Sequence, residues 1–196
     1  MIITNINMKK NYLSLCSALF ALIVIFLFSC TSKQYFLHQE TDIKTLKSIA
    51  VLPFENFTRD KFAGEKIRRI VITELLLRGI DVIEPGEVTR VLMESDVRSL
   101  RSMKAEEIQK VGEKLGVEAL MRGSVESFGI SKGISVSYPE VTINLMLIKK
   151  DSGNIIWSVR HSTGGASFWT RHFGTEGIPL SEAARKTVKE AIDTLY

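Results

Sequence analysis

The sequence predicts an α+β domain built on a mixed β-sheet, and two patterns carry that prediction. Residues 49–52 form a continuous apolar run that Pro53 ends; apolar positions at helical spacing follow, and a short apolar run returns after Gly79. This is the pattern of a β-α-β unit, whose two strands are parallel. Residues 141–147 and 155–159 alternate between apolar and polar around a turn-forming segment, which indicates an antiparallel hairpin.

The full predicted order is β-α-β-α-α-β-β-β-α, with about five strands and with helices packed mainly on one face of the sheet. In the first helix, Asp60 is a candidate N-terminal cap and Gly79 occupies the position just past the C-terminus. Pro85 is placed to open the second helix. The third begins near Lys104 and ends at Gly116.

The C-terminal half is predicted to consist of three strands and a closing helix. Residues 117–128 alternate as a half-buried strand does. In the hairpin that follows, one face carries Val141, Ile143, Leu145, Leu147 and Trp157. We expect that face to point into the core and Asn144 to point away from it. Ser181 is a candidate cap for the closing helix.

Residues 1–29 have the anatomy of an export signal. Lys9 and Lys10 precede a largely apolar run at 13–28, and a small serine comes directly before Cys30. This order resembles the lipobox of bacterial lipoproteins, in which the Cys is acylated and becomes the first residue of the mature chain. The resemblance implies that Cys30 carries the lipid that holds the protein on a membrane.

A membrane-spanning helix is the alternative interpretation, because the run approaches the roughly 20 residues that cross a bilayer. Lys33 stands alone after the run, without a stop-transfer cluster, so the lipoprotein interpretation is favoured. Thr31 rather than Asp follows the Cys, which resembles an outer-membrane address with the domain facing the periplasm. Either Met1 or Met8 can be the true start.

Three segments are predicted along the chain. Residues 1–29 form the lipoprotein signal peptide, residues 30–46 a lipidated tether without periodicity, and residues 47–196 a single periplasmic α+β domain. The length of the third segment suits one hydrophobic core.

Charge and cysteine content narrow the classes of function. The formal charge is +4, and loss of Lys9 and Lys10 with the signal lowers it to +2, which is too small a basic excess to indicate nucleic acid as a partner. Cys16 leaves with the signal and the sulfur of Cys30 is committed to a thioether. We therefore expect neither a disulfide nor a Cys-based metal site in the mature domain.

No residue pattern indicates catalysis. The three histidines, His38, His161 and His172, are not at metal-ligand spacing, and the chain contains no H-E-x-x-H and no G-x-S-x-G motif. We expect no catalytic residue, no metal site and no cofactor. The rival class is an envelope hydrolase.

Two groups of residues are candidates for binding. Around the first helix, a basic surface is predicted from Arg59, Lys66, Arg68 and Arg69, with a solvated helix face as the alternative. Within the Gly-rich segment at 163–177, a partner interface is predicted from Phe168, Trp169, Arg171 and Phe173, which are residue types enriched in interface hot spots. The alternative is that these aromatic side chains cover the sheet.

Three phrases, at residues 49–56, 115–125 and 147–157, resemble the periplasmic domain of certain envelope lipoproteins. These are the curli-secretion-channel lipoproteins and the lipoprotein activators of penicillin-binding proteins. The resemblance covers about residues 47–196. It implies a lipid-anchored, non-catalytic interaction module in envelope assembly or secretion, whose protein partner the sequence does not name.

Two more specific roles are implied as alternatives: a regulator of peptidoglycan synthesis, and an oligomeric ring subunit of a secretion apparatus. The segments at 128–138 and 163–177 are too short for two membrane hairpins, since each membrane strand needs about 9–11 residues. Pore formation is therefore not expected.

Overall fold

The computed structural model describes residues 34–37, 46–97, 99–132, 137–164 and 178–195. Seven strands in these segments form one mixed sheet. They are β1 (Gln34–Leu37), β2 (Ser48–Val51), β3 (Glu55–Asn56), β4 (Asp81–Val82), β5 (Ala119–Lys132), β6 (Ser137–Lys149) and β7 (Ile155–Thr163). The strand order is β1-β7-β6-β5-β2-β4, and β3 pairs with β5 where β2 has ended.

The described helices follow the predicted order. They are α1 (Ala63–Leu77), α2 (Pro85–Glu94), α3 (Ala105–Leu115) and α4 (Leu180–Ile192), with a 3-10 turn at Asp193–Leu195. Gly79 and Gly116 end α1 and α3 at φ of +78° and +66°, a left-handed conformation that glycine adopts without strain. The two predicted caps differ: Asp60 lies two residues before the cap position of α1, and Ser181 lies inside α4.

The α+β class and both kinds of strand pairing are confirmed. Strand β2 is parallel to β4, as the β-α-β pattern predicts, and it is also parallel to β5. Strands β6 and β7 are antiparallel, with Leu147 opposite Trp157. The sheet has seven strands rather than about five. The two strands that were not predicted, β1 and β3, contain only four and two residues, which is too few to show a sequence period.

Helices pack on both faces of the sheet, rather than mainly on one. Helices α1 and α4 enclose one core with Ile49 and Val51, and α2 and α3 enclose another with Ala50 and Leu52. The reason lies in β2, which sits inside the sheet and alternates its buried side chains between the two faces. A strand that is apolar at every position needs cover on both sides.

Strand β1 lies within residues 30–46, where the sequence predicts a tether. Its four residues pair antiparallel with β7, with Gln34 opposite Arg160 and Leu37 opposite Trp157. The predicted tether therefore contains an edge strand. All described residues belong to one compact unit, Gln34–Tyr196, and no described helix combines the length and apolar character needed to cross a bilayer.

Candidate interaction surface

One face of the sheet, the one on which α2 and α3 pack, is called the second face here. It is polar over β5, β6 and β7. Helices α2 and α3 cover only the part of this face near β2, so the described helices leave Asn144 and Met146 half-buried at the rim of a cavity of about 170 Å³. The cavity is lined by Pro53, Glu55, Leu100, Arg101, Arg122, Gly123, Ser124, Asn144 and Met146.

The α2–α3 connection supplies one wall of this cavity. Nη1 of Arg122 on β5 donates a hydrogen bond to the carbonyl oxygen of Leu100, at 3.2 Å. The next residue, Arg101, forms an ion pair with Glu55 on β3, with 3.1 Å between Nε and Oε1. The guanidinium of Arg101 also lies 5.1 Å from the ring centroid of Phe57, which is a cation–π contact.

The β3–α1 connection holds Phe57 outward. The backbone N–H and the hydroxyl of Thr58 donate to Oδ1 of Asn56, at 3.0 and 2.8 Å, and Nδ2 of Asn56 donates to the carbonyl oxygen of Asp60 at 2.7 Å. This local network fixes the turn, so Phe57 points to solvent with 57% of its surface exposed. The ammonium of Lys66 and the N–H of Phe62 bind the Asp60 carboxylate and lower its pKa.

A second, open cavity of about 320 Å³ continues along β5 on the other side of Arg101. It is lined by Phe57, Thr58, Arg59, Glu126, Ser127, Phe128, Gly129, Ile130, Ser131 and Glu140. The cavity exists because β3 ends at Asn56, and the N–H of Phe57 makes the last bond to β5, at Val125. Among the described strands, β5 pairs only with β6 beyond that point.

The lining of the first cavity has a net positive charge, because Arg101 and Arg122 face one carboxylate, that of Glu55. The carboxylate of Glu55 binds Arg101, and that of Glu126 binds Arg160 at 2.7 Å. Within the described residues, no carboxylate lies at ion-pair distance from Arg59 or Arg122. These two guanidinium groups can therefore accept an anionic side chain from outside.

Of the residues predicted to form a basic surface, Lys66 and Arg69 are exposed and Arg68 is buried. Lys66 binds Asp60 at 2.7 Å and its ammonium lies 5.4 Å from the ring centroid of Phe128, while Arg69 binds Glu65 at 3.2 Å. The assignment of Arg68 is wrong, because its side chain is only 4% exposed. Positions 64, 68, 71 and 75 recur at helical spacing on the buried side of α1, which explains why Arg68 points inward.

Arg68 satisfies a backbone acceptor in the sheet. Its Nε and Nη2 both donate to the carbonyl oxygen of Val51, at 3.1 and 2.7 Å, and its Nη1 lies 3.7 Å from a carboxylate oxygen of Glu65. Burial lowers the pKa of Arg68, and Glu65 and Glu84 oppose that change. The residue is thus part of the fold.

Replacing Arg68 with Met should lower the free energy of unfolding by about 1–3 kcal/mol, because it keeps the apolar stem and leaves the Val51 carbonyl without its donor. Arg69→Met is the matched control on the same helix. The Arg69 side chain is 75% exposed, so its loss should change stability by less than about 0.5 kcal/mol. Urea unfolding of both variants tests this, and equal effects would contradict the structural role of Arg68.

Several predicted residues lie outside the described segments: Cys30, His38, Phe168, Trp169, Arg171, His172 and Phe173. His161 is described and buried, and its Nε2 lies 2.8 Å from Oε2 of Glu190, which joins β7 to α4. The described residues contain no group of three or more His, Cys, Asp or Glu side chains that could hold a metal ion.

Three residues of this surface, Phe57, Arg101 and Arg122, were not among the sequence-based candidates. The orientation of Arg122 could have been predicted from the sequence. Ala119 and Met121 are apolar and lie on one side of β5, so the next residue, Arg122, points to the opposite side. Arg101 and Phe57 had none, because each belongs to a connecting segment whose position depends on tertiary packing.

Comparison with known proteins identifies solved structures with a similar fold. No protein-family model and no curated protein matches the chain. Among solved structures, the PelC dodecamer from Paraburkholderia phytofirmans is similar with a TM-score of 0.57 at 18% identity, over 83% of this chain and 96% of that one. Lipoprotein GNA1162 from Neisseria meningitidis is similar with a TM-score of 0.52 at 18% identity, over 75% and 99%.

The LpoB C-terminal domain from Salmonella enterica has a TM-score of 0.47 at 11% identity, over 65% of this chain and 88% of that one. The predicted resemblance to envelope lipoproteins is confirmed at the level of architecture, and it rests on PelC and GNA1162. The chain has the fold of these two proteins, and similarity at 18% identity shows the fold alone.

Proposed function

We propose that this protein is a lipid-anchored, non-catalytic interaction module of the bacterial envelope. In this proposal residues 1–29 are removed, Cys30 carries the lipid in the outer membrane, and the domain at 47–196 faces the periplasm. The order of the N-terminal residues supports the anchor, and the similarity to a protein described as a lipoprotein agrees with it.

The observation that carries the interaction role is the cavity on the second face of the sheet, with Arg101 and Arg122 in its wall. Its volume of about 170 Å³ is below the roughly 300–1,000 Å³ of typical small-molecule sites. It is large enough to accept a side chain, and Arg and aromatic residues are the types that concentrate binding energy in protein interfaces. We therefore assign this cavity, with Arg101 and Arg122, to a protein partner that presents an acidic side chain to Arg122.

Phe168, Trp169, Arg171 and Phe173 are proposed as a second part of the interface, on the strength of their residue types. The segment that contains them leaves β7 after Thr163, whose backbone pairs with Val141 of β6. If these aromatic side chains dock a partner, replacing Phe168 and Trp169 with Ser should leave the melting temperature nearly unchanged. If they cover the core, stability should fall by about 3–5 kcal/mol for each truncated aromatic.

A ring subunit is the second candidate. It is favoured by the likeness to PelC, whose structure is a dodecamer and which this chain matches over nearly its whole length. In that case the partner across the surface is another copy of this chain. Mass photometry of the mature protein in detergent distinguishes the two, because a ring gives one discrete high mass and a module for a different partner gives the protomer mass.

Photo-cross-linking in living cells tests the interaction role. A photoreactive amino acid at Asn144, on the cavity rim, should cross-link to a discrete product, and the same amino acid at Thr73, exposed on α1, should not. Arg122→Glu should remove most of the Asn144 product, because it reverses the charge that faces the partner.

Two outcomes would contradict the proposal. Equal products from Asn144 and Thr73 would show that the cavity is not a specific contact. A product that survives Arg122→Glu in full would show that the cavity is not where the partner's acidic group binds.

A further inference from the structure

We infer that one end of the sheet, formed by the last residues of β5, the first residues of β6 and the β3–α1 connection, rests on the phospholipid headgroups of the membrane. This end contains Phe57, Phe62 and Ile130 with Arg59 and Lys132. The inference rests on the proposed lipid at Cys30, and it adds the orientation in which the domain meets the membrane.

The length of chain between the lipid and the sheet is the first step. Cys30 stands four residues before Gln34, the first residue of β1. Four residues span at most about 14 Å even when fully extended. Because β1 is paired with β7, the edge of the sheet at Gln34 can lie no further than that distance from Cys30.

Strand register shows which end of the sheet faces the lipid. Gln34 pairs with Arg160, Arg160 with Asn144, and Asn144 with Ser124, so these four residues form one row across the sheet. Cys30 precedes β1 in the chain. Beyond the N-terminal end of β1, β7 continues to Thr163 and β5 runs on from Ser124 to Lys132. Those eight residues of β5 extend about 25 Å beyond the row. Strand β5 therefore projects at least as far as Cys30 can reach.

Side chains at this end suit a lipid surface. Three large apolar side chains are mostly exposed, Phe57 at 57%, Phe62 at 69% and Ile130 at 58%. Large apolar side chains such as Phe and Leu bury in the headgroup–acyl boundary when a protein surface lies on a membrane.

The charges at this end suit anionic headgroups. Arg59 and Lys132 are exposed, and no described carboxylate lies at ion-pair distance from either. Of the nearby acids, Asp60 is paired with Lys66 at 2.7 Å. Glu140 accepts a hydrogen bond from the Ser131 hydroxyl at 2.5 Å and keeps its negative charge, which is one charge against the two of Arg59 and Lys132. Basic residues close to the membrane surface are attracted by anionic lipids.

Exposed apolar residues alone do not distinguish this end, since Leu77 on α1 is 73% exposed. Leu77 lies near the start of β4, at the end of the sheet where β2 and β5 begin. Ile130 is eleven residues further along β5 than Ala119, or about 35 Å away. Because Cys30 precedes the N-terminal end of β1, and that end points along the sheet toward Ile130, we place the lipid at the Ile130 end and use Leu77 as a matched control.

The test uses the mature acylated protein, which begins at Cys30 and has lost Cys16 with the signal, in vesicles of phosphatidylethanolamine and phosphatidylglycerol that contain a nitroxide-labelled lipid. The thioether blocks Cys30, so a single introduced Cys takes an environment-sensitive fluorophore. Ile130→Cys and Phe62→Cys should shift to shorter emission wavelength and lose most of their emission to the nitroxide lipid. Leu77→Cys should keep its emission.

The outcomes separate the orientation from the anchor. If the protein sediments with the vesicles while Ile130 and Phe62 labels stay unquenched, or are quenched no more than the Leu77 label, the orientation is wrong and the anchor stands. A label that is shielded from water but unquenched by lipid would assign this end to a protein contact and overturn the inference. If the protein does not sediment, the anchor fails and the orientation fails with it.

Discussion

Leu145→Asp is expected to unfold the domain. Leu145 is fully buried at the centre of β6, between Gly123 of β5 and Val159 of β7. A Cβ on Gly123 would lie 2.9 Å from a methyl carbon of Leu145, which shows how closely that side chain packs on the neighbouring strand. A carboxylate placed there has no partner and costs about 3–5 kcal/mol, and loss of the buried Leu side chain costs about 2–5 kcal/mol more. Together these costs match the total stability of about 5–15 kcal/mol that a domain has.

Asn144→Asp is the matched control, because it introduces the same side chain one residue away on the opposite face. Asn144 is half-buried and lines the cavity that contains Arg122, whose charge favours an acid. We expect this variant to keep its thermal melt within a few degrees of the unsubstituted protein. Circular dichroism melts of both variants check the prediction, and equal loss of structure would show that the two faces of β6 are not different in burial.

Elements with a strong sequence period were predictable. The hairpin faces came from the apolar residues at every second position of 141–147, and Val141, Ile143, Leu145 and Leu147 are all fully buried. The parallel pairing of β2 and β4 followed from a helix between two short apolar runs, because such crossovers place both strands in one sheet. Gly79 and Gly116 marked helix ends through a backbone conformation that glycine favours.

Other features depend on contacts between distant residues and had no local signal. Strand β1 is defined by its pairing with β7, more than 120 residues away in sequence. The cavity forms where the α2–α3 connection meets β5, through the bond from Arg122 to Leu100. Arg68 is an intermediate case: its helical spacing indicated burial, but a charged residue is almost never buried without a partner, and its partner is the Val51 carbonyl.

Cys30→Ala is expected to have the largest effect on where the protein resides. The anchor depends on one atom, the sulfur of Cys30, because it is the acceptor for the lipid. Each buried CH₂ of an acyl chain contributes about 0.8 kcal/mol, and a single chain gives only marginal binding, so stable attachment needs the two or more chains of a lipoprotein. Without them, the basic and aromatic end of the sheet should bind vesicles only weakly and reversibly.

Palmitate labelling in growing cells, followed by membrane fractionation, tests the anchor most directly. We expect the unsubstituted protein to be labelled and to be found with the outer membrane, and Cys30→Ala to take up no label. Labelled Cys30→Ala protein, or an unlabelled unsubstituted protein that still fractionates with membranes, would rule out a lipid anchor at Cys30.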